Sequence, residues 1–105
     1  MRAMNKRLDP AFRQIIAHFR ASPTWDETLD LQLLRVLWPR VSGPALAGNT
    51  SVRGIDGEEI VVEVPDRVWQ QQLLSMRPLL LGRTNESWPG QRIKRIRFTY
   101  EDYEG

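Results

Sequence analysis

The change of hydrophobic period at Thr50 limits this 105-residue chain to folds in which helices and strands share one core. Before Thr50 the apolar residues recur at three- and four-residue spacing, the signature of helices buried along one face. After it, Ile60, Val62 and Val64 alternate with Glu59, Val61 and Glu63, which is the pattern of a half-buried strand. Near the other end, Ile96, Phe98 and Tyr100 alternate with Arg95, Arg97 and Thr99, predicting a last strand.

Prolines and caps divide the helical stretches. Asp9-Pro10 starts a first helix, because the carboxylate can accept from free N–H groups and Pro10 needs no donor there. Phe12, Ile15, Ile16 and Phe19 form its apolar face, Arg13, Gln14 and Arg20 lie opposite, and Ser22-Pro23 ends it. Thr24 to Glu27 has the form of a capping box and opens a second helix. There Leu29, Leu33, Val36 and Leu37 share a face that Leu31, Leu34 and Trp38 widen. Pro39 is expected to break or restart this helix, and Gly43-Pro44 and Gly48-Asn49 frame a short helical piece.

Asp56-Gly57 marks a hairpin turn. A three-residue loop Ile55-Asp56-Gly57 with Gly57 left-handed, pairing Val52 with Ile60, is favoured over a two-residue loop pairing Arg53 with Ile60. Pro65-Asp66 caps a helix with Trp69, Leu73 and Met76 on one side, and Pro78 breaks it. A further helix turns Leu79 and Leu80 inward, with Trp88 a further candidate for the same side, before Pro89-Gly90. Trp38 and Trp69 read as core residues, whereas Trp25 and Trp88, near element ends, are better surface candidates.

The resulting order is helix, helix, strand, strand, helix, helix, strand. Such a hairpin cannot shield its apolar face alone, so helices must cover one side of a three-stranded sheet, giving an α+β fold. Arg53, Glu63, Arg95 and Arg97 are candidates for its polar face. Without the first helix, the order is that of a type II KH-like fold.

Several function classes fall away. The chain has no cysteine, so disulfides, thiolate metal sites and cysteine nucleophiles are excluded. His18 is the single histidine, which removes two-histidine metal sites, and it has no obvious catalytic partner. No GxxxxGK[ST] or GxGxxG loop is present to cradle phosphates. Asp56 with Glu58 and Glu59 lacks the oxygen-rich loop of a calcium site. No apolar run approaches a bilayer span, and Lys6, Arg7, Asp9, Arg13 and Arg20 interrupt the place of a signal-peptide core, so a cytoplasmic location is expected.

The formal net charge of +2 conceals a strong pattern. Residues 1–21 carry Arg2, Lys6, Arg7, Arg13 and Arg20 against Asp9 alone. Residues 51–68 are acidic, and residues 91–100 carry Arg92, Lys94, Arg95 and Arg97 with no acid. Two basic segments therefore bracket an acidic middle. Lys6, Arg7, Arg13, Arg92, Lys94, Arg95 and Arg97 are the candidate phosphate-binding residues, by contacts that weaken as salt rises.

An ordered set of motifs resembles the DciA family. It comprises Leu37-Trp38, Val41-x-Gly43-x-Ala45-Leu46-Ala47-x-x-Thr50, Asp56-Gly57 leading into Ile60-Val61-Val62-Glu63-Val64, Trp69-x-Gln71-x-Leu73, and Ile93-x-x-Ile96-Arg97-Phe98. The resemblance covers roughly residues 28–100. It implies a KH-like domain and a bacterial factor that binds the hexameric replicative helicase and helps place it on DNA, single- or double-stranded. It also implies that Trp38, Gly43, Gly57 and Trp69 are motif positions with structural roles. Pro39 and Pro44 depart from the more continuous helix of the family, and the segment after Tyr100 is short for the flexible arm some members carry.

The expected organisation is a basic helical segment at 1–23, a KH-like DciA-type domain at 24–100 and an acidic tail at 101–105. The leading function is a non-enzymatic adaptor that needs no cofactor and holds the helicase and DNA non-specifically. The residues leave two alternatives open. One is an RNA-binding KH-like module, against which Ser75-Met76-Arg77-Pro78 stands where a GxxG loop would be needed. The other is a protein-interaction domain whose cations serve solubility.

Overall fold

A computed structural model of the chain describes residues 10–101. Helices α1 (Pro10–Arg20), α2 (Glu27–Ser42) and the single turn α3 (Pro44–Ala47) precede a hairpin of β1 (Ser51–Asp56) and β2 (Glu59–Glu63). Helices α4 (Arg67–Ser75) and α5 (Arg77–Ser87) then lead to β3 (Arg95–Thr99). The strands form one sheet in the order β1-β2-β3, β1 antiparallel and β3 parallel to β2. A parallel pair cannot be joined by a tight turn, and the α4–α5 pair supplies the crossover.

The molecule is α+β, as the change of period implies. Val52, Ile60, Val62, Ile96 and Phe98 line one sheet face and pack with Leu34, Leu37, Trp38 and Val41 of α2, Leu73 of α4 and Leu80 of α5. Each such side chain, fully buried, contributes about 1.5–3 kcal/mol relative to exposure. Trp69 and Met76 pack against this core from α4 and its end. The opposite face carries Arg53, Glu63, Arg95 and Arg97, as expected from the alternation.

Local chemistry moves several boundaries. The N-cap of α2 is Asp26, whose Oδ1 accepts from the Leu29 N–H at 3.0 Å, and not Thr24, whose hydroxyl pairs with Ser22 at 2.9 Å. A carboxylate two residues nearer the helix outcompetes the threonine. Asp66 caps α4 as expected, accepting from the Trp69 N–H. The expected Asp9 cap lies outside the described residues. Pro39 does not break α2, which continues to Ser42. Pro39 and Arg35 both lie on its exposed side, so water can reach the carbonyl that the proline leaves without a donor. The last turn is also tied inward: Ser42 Oγ donates to the Trp38 carbonyl, Trp38 Nε1 donates to Thr50 Oγ1 at 2.9 Å, and Thr50 donates to the Leu46 carbonyl. Gly43, at φ 88°, then turns the chain into α3 in a region that side chains disfavour.

The inward faces also differ in detail. On α2 the buried stripe is Leu34, Leu37, Trp38 and Val41, while Val36 is 71% exposed. On α5 Leu80 is buried and Leu79 is exposed. Trp88 is no surface residue: it is 2% exposed and belongs to the core.

The hairpin register differs from both sequence expectations. Ile55 pairs with Ile60 and Asp56 with Glu59, so the turn is Gly57-Glu58, and Arg53 forms a bulge between Val52 and Gly54. Gly57 has the positive φ expected of it, at 61°, and Glu58 does not. The bulge restores Val52 to the core face opposite Val62. Gly57→Ala is expected to lower stability by about 1 kcal/mol, measured by urea denaturation, because a side chain is disfavoured at that φ even in open space.

Candidate nucleic-acid interface

Strand β3 lies at the edge of the sheet. Ile96 and Phe98 are buried beneath the helices, and Arg95 and Arg97 project on the open side. The Arg95 N–H donates to the Glu58 carbonyl at 3.1 Å, and the Thr99 carbonyl accepts from the Val64 N–H at 2.7 Å. Residues 95, 97 and 99 therefore direct their backbone groups to β2, and Ile96 and Phe98 direct theirs to the free edge. Gln70 of α4 reaches across and donates to the Phe98 carbonyl at 2.9 Å.

Between this edge and the α4–α5 pair runs a cleft with Leu74 and Leu81 on its helical wall and Arg77, Lys94, Arg95 and Arg97 around it. A second cleft shares Leu81 and Lys94 and adds Arg92, which extends the first into a furrow. Four of the seven candidate cations, Arg92, Lys94, Arg95 and Arg97, thus converge on one feature, and Arg77 joins them. Sequence reasoning missed Arg77 and Gln70. Arg77 sits at the start of α5, 17 residues before Lys94 in the chain, and only the crossover brings them together.

Lys94 and the cations of β3 are partly neutralised by Glu58 of the hairpin turn and Glu59 of β2. Glu58 lies 3.4 Å from Lys94 Nζ, and Glu59 lies 3.8 Å from Arg95 Nε and 3.5 Å from Arg97 Nε. On the β1 side, Arg53 Nη1 contacts Glu63 at 2.7 Å. Among the described residues Arg77 and Arg92 have no ion-pair partner. The acids that the sequence groups as an acidic middle therefore interleave with the basic strand.

The remaining candidates lie elsewhere. Lys6 and Arg7 lie outside the described residues. Arg13 Nη1 donates to the Glu86 carbonyl at 2.7 Å, and Glu86 itself lines the Arg92 end of the furrow. Arg13 and Arg20, which lie opposite the apolar face of the helix, point at the body of the protein. The Arg20 guanidinium forms a fork with Asp30 at 2.8 and 3.0 Å and lies 5.4 Å from the centre of the Trp88 ring. Trp25 Nε1 donates to the same Asp30 at 2.6 Å. Helix α1 is thus held by its cations, and its apolar residues Ile15 and Phe19 are about half exposed, at 52% and 53%. The exposed His18 packs edge-on against Phe19.

Partial burial pushes the Asp30 carboxyl upward, but hydrogen bonds from Arg20 and Trp25 and the charge of Arg20 outweigh it and hold the group below its ordinary value of 3.8. A depressed carboxyl stabilises the folded form above its unfolded pKa and loses that contribution as pH falls through its folded value. Attachment of α1 is therefore expected to be intact at neutral pH and to weaken below pH 3.8. Amide exchange across α1, compared with α5 at falling pH, checks this, and Asp30→Asn should give fast α1 exchange already at neutral pH.

The family model described as Dna[CI] antecedent, DciA, matches residues 8–98, which takes in every described element from α1 to nearly the end of β3. The chain belongs to the DciA family. No curated protein matches it. Membership of the DciA family suggests a helicase-loading role in DNA replication, and the family is one of adaptors and not of known enzymes. The DciA match includes Trp38, Gly43, Gly57 and Trp69, which the fold employs in core packing and turns. Among the described residues, no helix is long and apolar enough to cross a membrane.

Proposed function

We propose that the protein is a replication-initiation adaptor that binds the hexameric replicative helicase and DNA and promotes loading of the one on the other, with no reaction of its own. Family membership supports the helicase half of this reading. The observation that carries the DNA half is the furrow beside β3, where five cations from two separate stretches of sequence meet along the edge of the sheet. Point charges on long side chains attract phosphates without reading bases, so the contact is mostly non-specific. Residues 24–100 form the KH-like body in this reading, which draws support from the helix-strand-strand-helix-helix-strand order with β2 and β3 parallel. Residues 1–23 add a basic helical segment and 101–105 an acidic tail. The adaptor acts in the cytoplasm, at the nucleoid when replication starts.

Two measurements test the two halves. Mixed with the replicative helicase of its own organism and no DNA, the protein should co-elute at a defined stoichiometry in size-exclusion chromatography with light scattering. Separate elution at micromolar concentrations sinks the adaptor reading. Binding to labelled DNA should weaken linearly in log K against log salt, and a flat profile sinks the furrow as a phosphate site.

A further inference from the structure

The carboxylate of Glu59 stands between the guanidinium groups of Arg95 and Arg97. It stands opposite Arg95 in the parallel register of β2 and β3, and its two oxygens divide between two guanidinium groups: Oε2 toward Arg95 and Oε1 toward Arg97. No other acidic residue lines the cleft among the described residues. Its side chain is only 22% exposed, so it is held in place, yet both contacts are long, at 3.8 and 3.5 Å. Separations of that size carry charge attraction without well-formed hydrogen bonds. The contrast with Arg20 and Asp30, a true hydrogen-bonded fork at 2.8 and 3.0 Å, is direct.

We infer that Glu59 is an intramolecular competitor for the nucleic-acid phosphate: it neutralises Arg95 and Arg97 in the free protein and sets the affinity for DNA below what the furrow would otherwise give. The inference rests on the phosphate-binding reading of the furrow. A phosphate that enters must take the two guanidiniums from Glu59, and it breaks few hydrogen bonds in doing so. The carboxylate then remains near the bound strand as a standing repulsion, which favours release. An adaptor that must give up its DNA once the helicase is seated gains from such a contact, because association stays electrostatic while the bound state stays shallow.

The test compares Glu59→Gln, Glu63→Gln and Arg95→Gln/Arg97→Gln with the unaltered protein. Binding to a labelled oligodeoxynucleotide and to its duplex is followed by fluorescence anisotropy across salt concentrations. Glu59→Gln keeps the shape of the side chain and removes one charge, and it should raise affinity about threefold to tenfold at 0.15 M salt and steepen the salt dependence by up to about one unit. Glu63→Gln, the same charge change on the same strand but beside Arg53, should leave affinity nearly unchanged. If Glu59→Gln binds no tighter while Arg95→Gln/Arg97→Gln binds more weakly, the competitor role is wrong and the furrow stands. An equal gain from Glu63→Gln also overturns it, since bulk charge would then suffice. If Arg95→Gln/Arg97→Gln binds as well as the unaltered protein, the furrow and the inference fall together. Thermal melts followed by circular dichroism establish that each variant is folded before its binding is compared.

Discussion

Replacing Lys94, Arg95 and Arg97 together by glutamine is expected to lower DNA affinity on the order of 100-fold at 0.15 M salt, because each lost phosphate contact removes about 0.9 from the slope of log K against log salt. The slope itself should fall by about three units, and this is the more diagnostic reading, since a misfolded variant would lose affinity without that change of slope. Glutamine is preferred to glutamate here for a structural reason. Two new carboxylates at 95 and 97 would stand beside Glu59, and their mutual repulsion would disturb the sheet as well as the furrow. The three positions are exposed, and exposed pairs of this kind contribute roughly 0–1 kcal/mol each, so the domain should remain folded. An affinity unchanged across the salt range would remove the basic strand from the binding surface.

Trp38→Ala is expected to destabilise the domain by about 3–5 kcal/mol, most of what a small domain possesses. The ring is 3% exposed, so its removal opens a cavity between α2 and the sheet, and it also strips Thr50 of its donor. Thr50→Val leaves the packing of Trp38 in place but deprives the indole N–H of its acceptor and the Leu46 carbonyl of its donor, at a cost of about 1–3 kcal/mol. Urea denaturation measures both. A Trp38→Ala protein that kept its stability but lost partner binding would show the tryptophan to be a contact residue and not a packing one.

Sequence alone disclosed the elements because their periods are strong and their ends are marked by Pro, Gly and Asp. It failed where two local signals compete or where the decisive contact is remote. Thr24 and Asp26 both resemble caps, and only the position of the first free N–H groups decides between them. The hairpin register turned on a bulge at Arg53, which adds one residue to a strand and leaves no trace in the alternation around it. Trp88 follows a helix end and looks like a surface residue until the core closes over it and Arg20 of α1 lies across its ring. The cations of β3 were visible in composition. Their pairing with Glu58 and Glu59, and the arrival of Arg77 beside them, depend on a parallel crossover that no residue spacing records.

The parallel pairing of β3 with β2 also bears on when the protein becomes competent. Ile60 and Ile96 are register partners separated by 36 positions, with both crossover helices between them. Contacts so distant along the chain close late, after the loop-closing cost of the helices has been met locally. The hydrophobic flank of β2 is sealed by the very strand that carries Arg95 and Arg97 and directly follows Lys94. Completion of the core and display of the charged edge are therefore one event, and a half-folded chain has no assembled surface with which to hold a nucleic acid.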